Sequence, residues 1–332
     1  MSSCRKLFSH IYVEEDLLDT ERAQAVLRLF PQSCVIPVRR YTDVFSRSSQ
    51  SYQAQRSCPN LILARKHGTF LYPGAPVCQS FGAERFFYTS STLNCIYDCD
   101  YCWLKGIYST ANIVLFLNME DFLEAARRLL AEGPLYLSLS YETDMVPLES
   151  ISHQIRQWND FILEQPLLTA EIRTKCGNTT LYSRLQSNPR LFVSFTLSPQ
   201  SLIDACEHYT ASLAQRLAAA NAALDAGFPV RLCFDPLIRF PSWKEAYSDL
   251  IDTVRTSTDL ARISGFSVGS YRQSDGYQRR MRKRFPELAV LQYPYETVNG
   301  YCQYDSARRE EIEQFVYSQL AQYTDPDRIF RL

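Results

Sequence analysis

Cys95-Ile96-Tyr97-Asp98-Cys99-Asp100-Tyr101-Cys102 sets the terms on which the rest of this chain is read. Three cysteines fall in a C-x3-C-x2-C spacing, with an aromatic residue just before the last. A cubane iron–sulfur cluster is normally held by four Cys thiolates, one per iron. Three thiolates therefore hold three irons and leave the fourth open to a small molecule. The competing reading is a zinc site completed by a distant ligand. Structural zinc sites usually come as paired C-x2-C knuckles, and no second C-x2-C occurs in this sequence. The other eight cysteines, Cys4, Cys34, Cys58, Cys78, Cys176, Cys206, Cys233 and Cys302, are scattered, as expected of small buried hydrophobes.

Outward from the octet, strands alternate with helices. Strands are expected at Phe86–Ser90, Leu135–Ser140, Thr169–Arg173, Leu191–Thr196, Val230–Phe234 and Gly265–Val268. Helices are expected at Met119–Leu130, Leu148–Leu163, Thr180–Gln186, Ser212–Ala226, Trp243–Thr256 and Gln278–Phe285, with a closing helix at Arg308–Leu320. Ala226-Gly227-Phe228-Pro229 reads as a helix stop followed by a strand. Six strand–helix units in series predict an α/β fold with a parallel sheet, open or curled into a partial (β/α)6 TIM-type barrel. In such folds chemistry sits at the C-terminal ends of the strands, and the cysteine octet follows the first strand. Residues 1–85 lack a repeating unit and read as an N-terminal cap region. It holds a short strand at Ile11-Tyr12-Val13, a helix over Leu17–Phe30, a polar surface loop over Ser46–Ser57 and a strand at Leu61–Arg65. Residues 86–332 would then form the barrel.

The 332-residue chain is 46% hydrophobic and 21% charged, the composition of an ordinary globular protein. Its net charge of −1 gives no bulk attraction to nucleic acid, though a local basic patch stays open. It contains no run of 18 apolar residues, and Met1-Ser2-Ser3-Cys4-Arg5-Lys6 leads into no apolar signal region. The expectation is a cytoplasmic protein with no membrane span. Eleven cysteines, an odd count without a secretion signal, argue against a disulfide framework.

The octet, with Tyr101 before its last cysteine, resembles the motif of the radical SAM superfamily, whose members use S-adenosylmethionine (SAM). The order of further stretches resembles the spore photoproduct lyase family. They are Tyr12-Val13-Glu14, Cys99-Asp100-Tyr101-Cys102-Trp103-Leu104, Thr143-Asp144-Met145-Val146, Thr174-Lys175, Phe195-Thr196-Leu197-Ser198 and Ala226-Gly227-Phe228-Pro229. The resemblance implies a [4Fe-4S] cluster, SAM and a reductant such as flavodoxin or ferredoxin. It implies reductive cleavage of SAM to methionine and a 5′-deoxyadenosyl radical, which abstracts hydrogen from the substrate. In the lyase itself that substrate is a thymine dimer of spore DNA. Carried onto this chain, Cys95, Cys99 and Cys102 would ligate three irons, and SAM would chelate the fourth. Tyr101 would line the adenine side. No Gly-Gly-Glu motif is present to hold the SAM amine, and the family's hydroxyl at that place falls on Thr143. Lys175 would meet the SAM carboxylate, while Thr196 and Ser198 would meet ribose or carboxylate.

The chain departs from the family at three places. The lyase carries a cysteine that returns hydrogen to the product radical, and here that position is Tyr141. The lyase's second relay Tyr, after the last cluster cysteine, is Trp103. Tyr141, Tyr101 and Trp103 are therefore the catalytic candidates. A phenol O–H is weak enough for Tyr141 to act as donor. Cys176 and Cys233, at other strand ends, are alternative thiols. The lyase's basic aromatic hairpin corresponds to Gln292–Tyr304, which has no Lys or Arg. Basic residues gather instead at Arg279-Arg280-Met281-Arg282-Lys283-Arg284, with Arg272 upstream. They read as a solvated helix face or as a contact for phosphate or an acidic substrate. The expectation is a lyase-like radical SAM enzyme of this family, whose DNA-repair label points to a DNA lesion, while the missing thiol and missing basic hairpin favour a different substrate such as a nucleotide, peptide or metabolite. A non-catalytic zinc-binding module and a degenerate SAM-binding relative are the alternatives from other classes.

Overall fold

The helix stop at Ala226-Gly227-Phe228-Pro229 forms as its residues require. Gly227 takes a left-handed φ of 81°. Its N–H and that of Phe228 donate to Leu224 O and Ala223 O, each at 3.0 Å, the paired bonds that close a helix end. A Cβ there would also meet Ser187 Oγ at 2.5 Å. The computed structural model containing this turn describes residues 8–75 and 77–332; Cys4 lies outside them.

Six strands, Phe86–Thr89, Leu135–Ser138, Leu168–Thr174, Leu191–Thr196, Val230–Leu237 and Gly265–Ser270, lie side by side in chain order. Every neighbouring pair among them is parallel. Leu71–Pro73 adds antiparallel to the first, and Ile329–Arg331 adds parallel to the sixth. The two edges do not meet, so the sheet stays an open partial barrel. Helices Met119–Leu130, Gln154–Glu164, Leu213–Asp225, Trp243–Ser257 and Ser306–Leu320 share one apolar core with these strands. Strand alternation sorts the two faces. Leu168, Ala170 and Ile172, with Val230, Leu232 and Phe234, join the core. Glu171, Arg173, Arg231 and Asp235 occupy the alternate positions, where Arg173 pairs with Glu171 at 3.3 Å and Asp235 at 3.5 Å. Arg231 lies between the rings of Phe81 and Phe192, 3.6 and 3.8 Å from their centroids.

A second sheet runs Cys34–Val38, His10–Glu14, Leu61–Ala64, Ile113–Phe116 and Thr92–Leu93 in spatial order. Its last two strands come from beyond residue 85, and the cysteine loop is the connection between them. The loop thus leaves the first barrel strand and is anchored on the N-terminal sheet at both ends.

Three expected elements take another form. The helix expected at Thr180–Gln186 is a single turn of 3-10 helix, Tyr182–Arg184. Asn178 Oδ1 accepts the N–H groups of Thr180 and Leu181 at 2.9 and 3.1 Å, an Asx turn that competes with the helix. The helix expected over Leu148–Leu163 is broken at His153, which has a φ of 51°, into Glu149–Ser152 and Gln154–Glu164. The loop expected over Ser46–Ser57 contains a short helix, Tyr52–Arg56, whose Tyr52 is buried.

Candidate functional site

Asn94 opens the cysteine loop with a left-handed φ of 70°. Its amide donates to Thr110 O and Asn112 O at 2.8 and 3.1 Å, tying the loop's start to its end. Its Oδ1 accepts Cys95 N–H at 3.0 Å. Asp98–Cys99 pairs antiparallel with Glu207–His208, and Cys102 N–H closes a turn on Cys99 O at 3.1 Å. The loop's two carboxylates already have partners: Asp98 pairs with buried Lys105 at 2.6 Å and with Arg56 at 3.3 Å, and Asp100 lies 3.1 Å from His208 Nε2. The donor set is left as three thiols, the chemistry that suits iron–sulfur ligation. The Cys95 sulfur accepts backbone N–H groups of Tyr97 and Asp144, and Cys102 accepts that of Leu104; such bonds tune a cluster thiolate. Burial pushes the Cys95 thiol up to about 12 and raises Cys99 and Cys102 as well. Loading with metal therefore releases protons. Among the described residues no group of three or more His, Cys, Asp or Glu side chains converges to hold one metal ion.

Thr143 and Lys175 come together through Asp144. The Asp144 carboxylate accepts Thr174 Oγ1 at 2.9 Å, Lys175 N–H at 2.7 Å and Val146 N–H at 3.1 Å. It thereby fixes the turn after the second barrel strand to the end of the third. Burial outweighs these bonds and pushes the Asp144 carboxyl up to about 6. Its backbone N–H reaches Cys95, so the same turn borders the cysteine loop. The Thr143 hydroxyl is buried with no hydrogen-bond partner, an unusual state for a hydroxyl. Lys175 Nζ lies 5.5 Å from the Tyr101 ring centroid. Despite burial, Glu207, Cys99 and Cys102 hold its pKa above the usual lysine value, so it stays charged.

Tyr101 and Ser198 find a different partner from the one expected. Both hydroxyls donate to Glu207, Ser198 at 2.8 Å. Glu207 also takes Arg216, and both of those side chains are fully buried. Arg216 further donates to Thr196 O at 2.9 Å, Ala211 O at 2.9 Å and Thr210 Oγ1 at 2.7 Å. Arg216 and Lys175 hold the Glu207 carboxyl below the usual range in spite of its burial. Sequence reasoning missed Glu207 and Arg216, because they belong to no short motif and meet Tyr101 only through the fold.

Tyr141 stacks on Tyr88 with ring centroids 3.9 Å apart and meets Trp103 edge-on at 5.3 Å. Trp103 in turn stacks on Tyr277 at 6.3 Å. The Tyr141 hydroxyl contacts Cys78 Sγ at 3.3 Å, a residue that read as one of the scattered cysteines. Cys176 is hydrogen-bonded to Tyr97, and Cys233 lies beside Arg173 and Ser267. The C-terminal stretch folds as a hairpin, Glu296–Val298 with Tyr301–Gln303, joined by Asn299-Gly300 at φ 49° and 82°. Arg272–Ser274 pairs with it. In the basic helix Asp275–Arg284, Arg280 donates to Gly106 O at 2.6 Å, and Arg284 donates to Lys105 O and Tyr108 O at 2.8 and 2.5 Å. These guanidinium groups close the short helix Leu104–Ile107 behind the cysteine loop, a role that a solvated helix face does not have.

Comparison with known proteins bears on the whole arrangement. The family model described as spore photoproduct lyase matches residues 87–318. Spore photoproduct lyase of Clostridium acetobutylicum is 22% identical over 231 residues, which are 67% of this chain and 64% of that protein. The enzyme of that name from Bacillus subtilis (strain 168) is 22% identical over 202 residues, 59% of each. The chain thus spans about three fifths of the length of the curated relatives it matches. Among solved structures, spore photoproduct lyase complexed with dinucleoside spore photoproduct superposes with a TM-score of 0.85, 16% identity and 98% of both chains covered. A mutant of that lyase with bound AdoMet and dinucleoside spore photoproduct gives 0.83 at 17% identity, with the same coverage. Likeness at these identities is a likeness of fold.

Proposed function

This chain belongs to the spore photoproduct lyase family, and with it to the radical SAM superfamily, and from that premise we propose that it is a lyase-like radical SAM enzyme acting on a nucleic-acid-like substrate. Cys95, Cys99 and Cys102 hold the cluster; Thr143 and Lys175 hold SAM. When bound, these groups supply one-electron cleavage of SAM and a 5′-deoxyadenosyl radical able to abstract hydrogen from carbon. Thr143 offers its unpartnered hydroxyl to the SAM amine. Lys175 gives the SAM carboxylate a charge-assisted hydrogen bond, with Asp144 fixing the backbone of both residues relative to Cys95. Tyr101 presents its ring beside Lys175, while Glu207 and Arg216 hold it rigidly from behind. Thr196 and Ser198 border the same end of the fourth strand and contribute through this network. Tyr88, Tyr141 and Trp103 wall the substrate side with stacked rings, which suits a base.

One observation carries this reading: the buried Thr143 hydroxyl is left without a partner on the turn that borders Cys95. A second reading, a substrate outside DNA, is favoured by the hairpin over Gln292–Tyr304, which offers no cation for a phosphate backbone. The reductant is a low-potential carrier of the flavodoxin or ferredoxin class. The test is anaerobic reconstitution and reduction, followed by measurement of 5′-deoxyadenosine with and without a dinucleoside photoproduct. Stimulation with recovery of thymine supports repair. Cleavage without thymine supports the second reading, and a colourless, zinc-loaded protein overturns both.

A further inference from the structure

We infer that Cys78, held against Tyr141, is the hydrogen-atom donor that quenches a carbon radical at this site, with Tyr141 restoring the thiol. The inference rests on the radical reading above. A carbon radical is quenched only by an X–H bond weaker than the C–H bond formed, and in proteins the S–H of cysteine and the O–H of tyrosine meet that condition. The structure brings one of each together, with Cys78 Sγ 3.3 Å from the Tyr141 hydroxyl. The segment carrying Cys78 is fastened to the barrel. Arg272 Nε donates to Val77 O at 3.0 Å, and its other nitrogens donate to the Asp235 carboxylate at 3.1 and 3.3 Å. Asp235 lies on the fifth barrel strand and also pairs with Arg173 at 3.5 Å. The pair is therefore positioned by the sheet itself rather than by a free loop. Two residues beyond Tyr141, the same turn carries the buried Thr143 hydroxyl, which has no hydrogen-bond partner.

The other two candidate thiols are placed differently. Cys176 is hydrogen-bonded to Tyr97, beside the cysteine loop, and Cys233 is buried next to Arg173 and Ser267. Burial raises the Cys78 thiol above its ordinary value, so its S–H is intact at neutral pH. The atoms balance in three steps. The S–H bond of Cys78 breaks homolytically and the hydrogen forms the new C–H bond, leaving a thiyl radical. The thiyl takes the hydrogen of the Tyr141 hydroxyl, which re-forms S–H and leaves a phenoxyl radical. One electron from a low-potential carrier of the class that reduces the cluster, with one proton from solvent, returns the phenol.

The test uses the full chain, loaded with iron and sulfide, reduced in D2O with SAM and no added substrate. The 5′-carbon radical is then itself the probe, and the deuterium content of the 5′-deoxyadenosine is read by mass spectrometry. Wild type and Tyr141→Phe carry deuterium from exchanged Cys78 S–D, at least in the first turnover. Cys78→Ser, which keeps the size and the contact but has a stronger O–H bond, loses most of it. Equal labelling in Cys78→Ser and wild type, or none in wild type, overturns the inference. No 5′-deoxyadenosine from any variant at full iron content overturns the radical reading instead. A second measurement needs no cofactor: alkylation of Cys78 in the metal-free protein, followed against pH. Tyr141→Phe removes a hydrogen bond that stabilises the thiolate, so the profile moves to higher pH; an unmoved profile overturns the contact.

Discussion

A buried hydroxyl that bonds to nothing destabilises the protein around it, by about 1–3 kcal/mol, and Thr143 carries one. Thr143→Val should therefore leave the metal-free protein as stable as wild type or slightly more so, by thermal unfolding. The same change should weaken SAM binding to the cluster-loaded protein, by equilibrium titration. A purely structural Thr143 would move both in the same direction. Glu207 and Arg216 answer to the opposite logic. Arg216→Met leaves the buried Glu207 carboxylate without its guanidinium partner and with Lys175 alone to balance it, a loss of up to about 3–5 kcal/mol, read as a fall in the urea midpoint. The double variant Glu207→Gln, Arg216→Met should recover part of that loss, because the carboxylate is then neutral and Lys175 alone keeps its charge in this network. At this scale the sequence was informative only where residues are close along the chain. Cys95, Cys99, Cys102, Thr143 and Lys175 sit in short stretches with recognisable order. Tyr101 meets Glu207 from 106 positions away, and Cys78 meets Tyr141 from 63. Contacts at such separations leave no local pattern to read.

Helix ends show the same division one scale up. The capping box of Leu213–Asp225, with Ser212 and Gln215 exchanging side-chain and backbone bonds, lies within four residues, at the Ser212 where the helix was expected to begin. The break at His153 was not, because its cause is a carboxylate that folds back. Glu149 accepts the N–H groups of Ile155 and Arg156 at 2.7 and 3.0 Å, capping Gln154–Glu164 from the preceding turn. Burial nevertheless outweighs both bonds and pushes the Glu149 carboxyl up to about 7 from an ordinary 4.5. The folded protein thus binds a proton that the unfolded chain has released. Stability is then highest below the unfolded value and falls as pH rises from about 4.5 to about 7, by roughly 3 kcal/mol in all. Glu149→Gln removes this dependence. Urea midpoints of wild type and variant should diverge across that window and run parallel above it. Parallel lines throughout would mean that the cap is ionised in the fold. The strands were the most legible elements, since all six barrel strands were expected within a few residues of their observed bounds. The expected boundary at residue 85 does not coincide with the N-terminal sheet, because Ile113–Phe116 pairs with Leu61–Ala64 after a loop that hides the pairing.

That pairing ties the N-terminal strands to the chain beyond residue 85, and the expected outcome is that the molecule unfolds as one cooperative unit. Ile113–Phe116 lies inside the five-stranded sheet, between Leu61–Ala64 and Thr92–Leu93, and its four residues are no more than 2% exposed. Each is an apolar side chain whose burial contributes about 1.5–3 kcal/mol, while a whole domain is stable by only about 5–15 kcal/mol. The strand directly follows the loop that carries Cys95, Cys99 and Cys102, and Arg284 grips that loop's far end from 179 positions away. Loss of the N-terminal strands would therefore uncover a hydrophobic face and release one anchor of the cysteine loop in the same event. A fragment of residues 86–332 should show no cooperative thermal transition and should hold little iron after reconstitution. In the full chain, the fluorescence of its three tryptophans and far-UV ellipticity should change together in a single transition. Two separated transitions, or a fragment that melts cooperatively and loads iron as the full chain does, would mean that the cysteine loop is supported by the barrel alone.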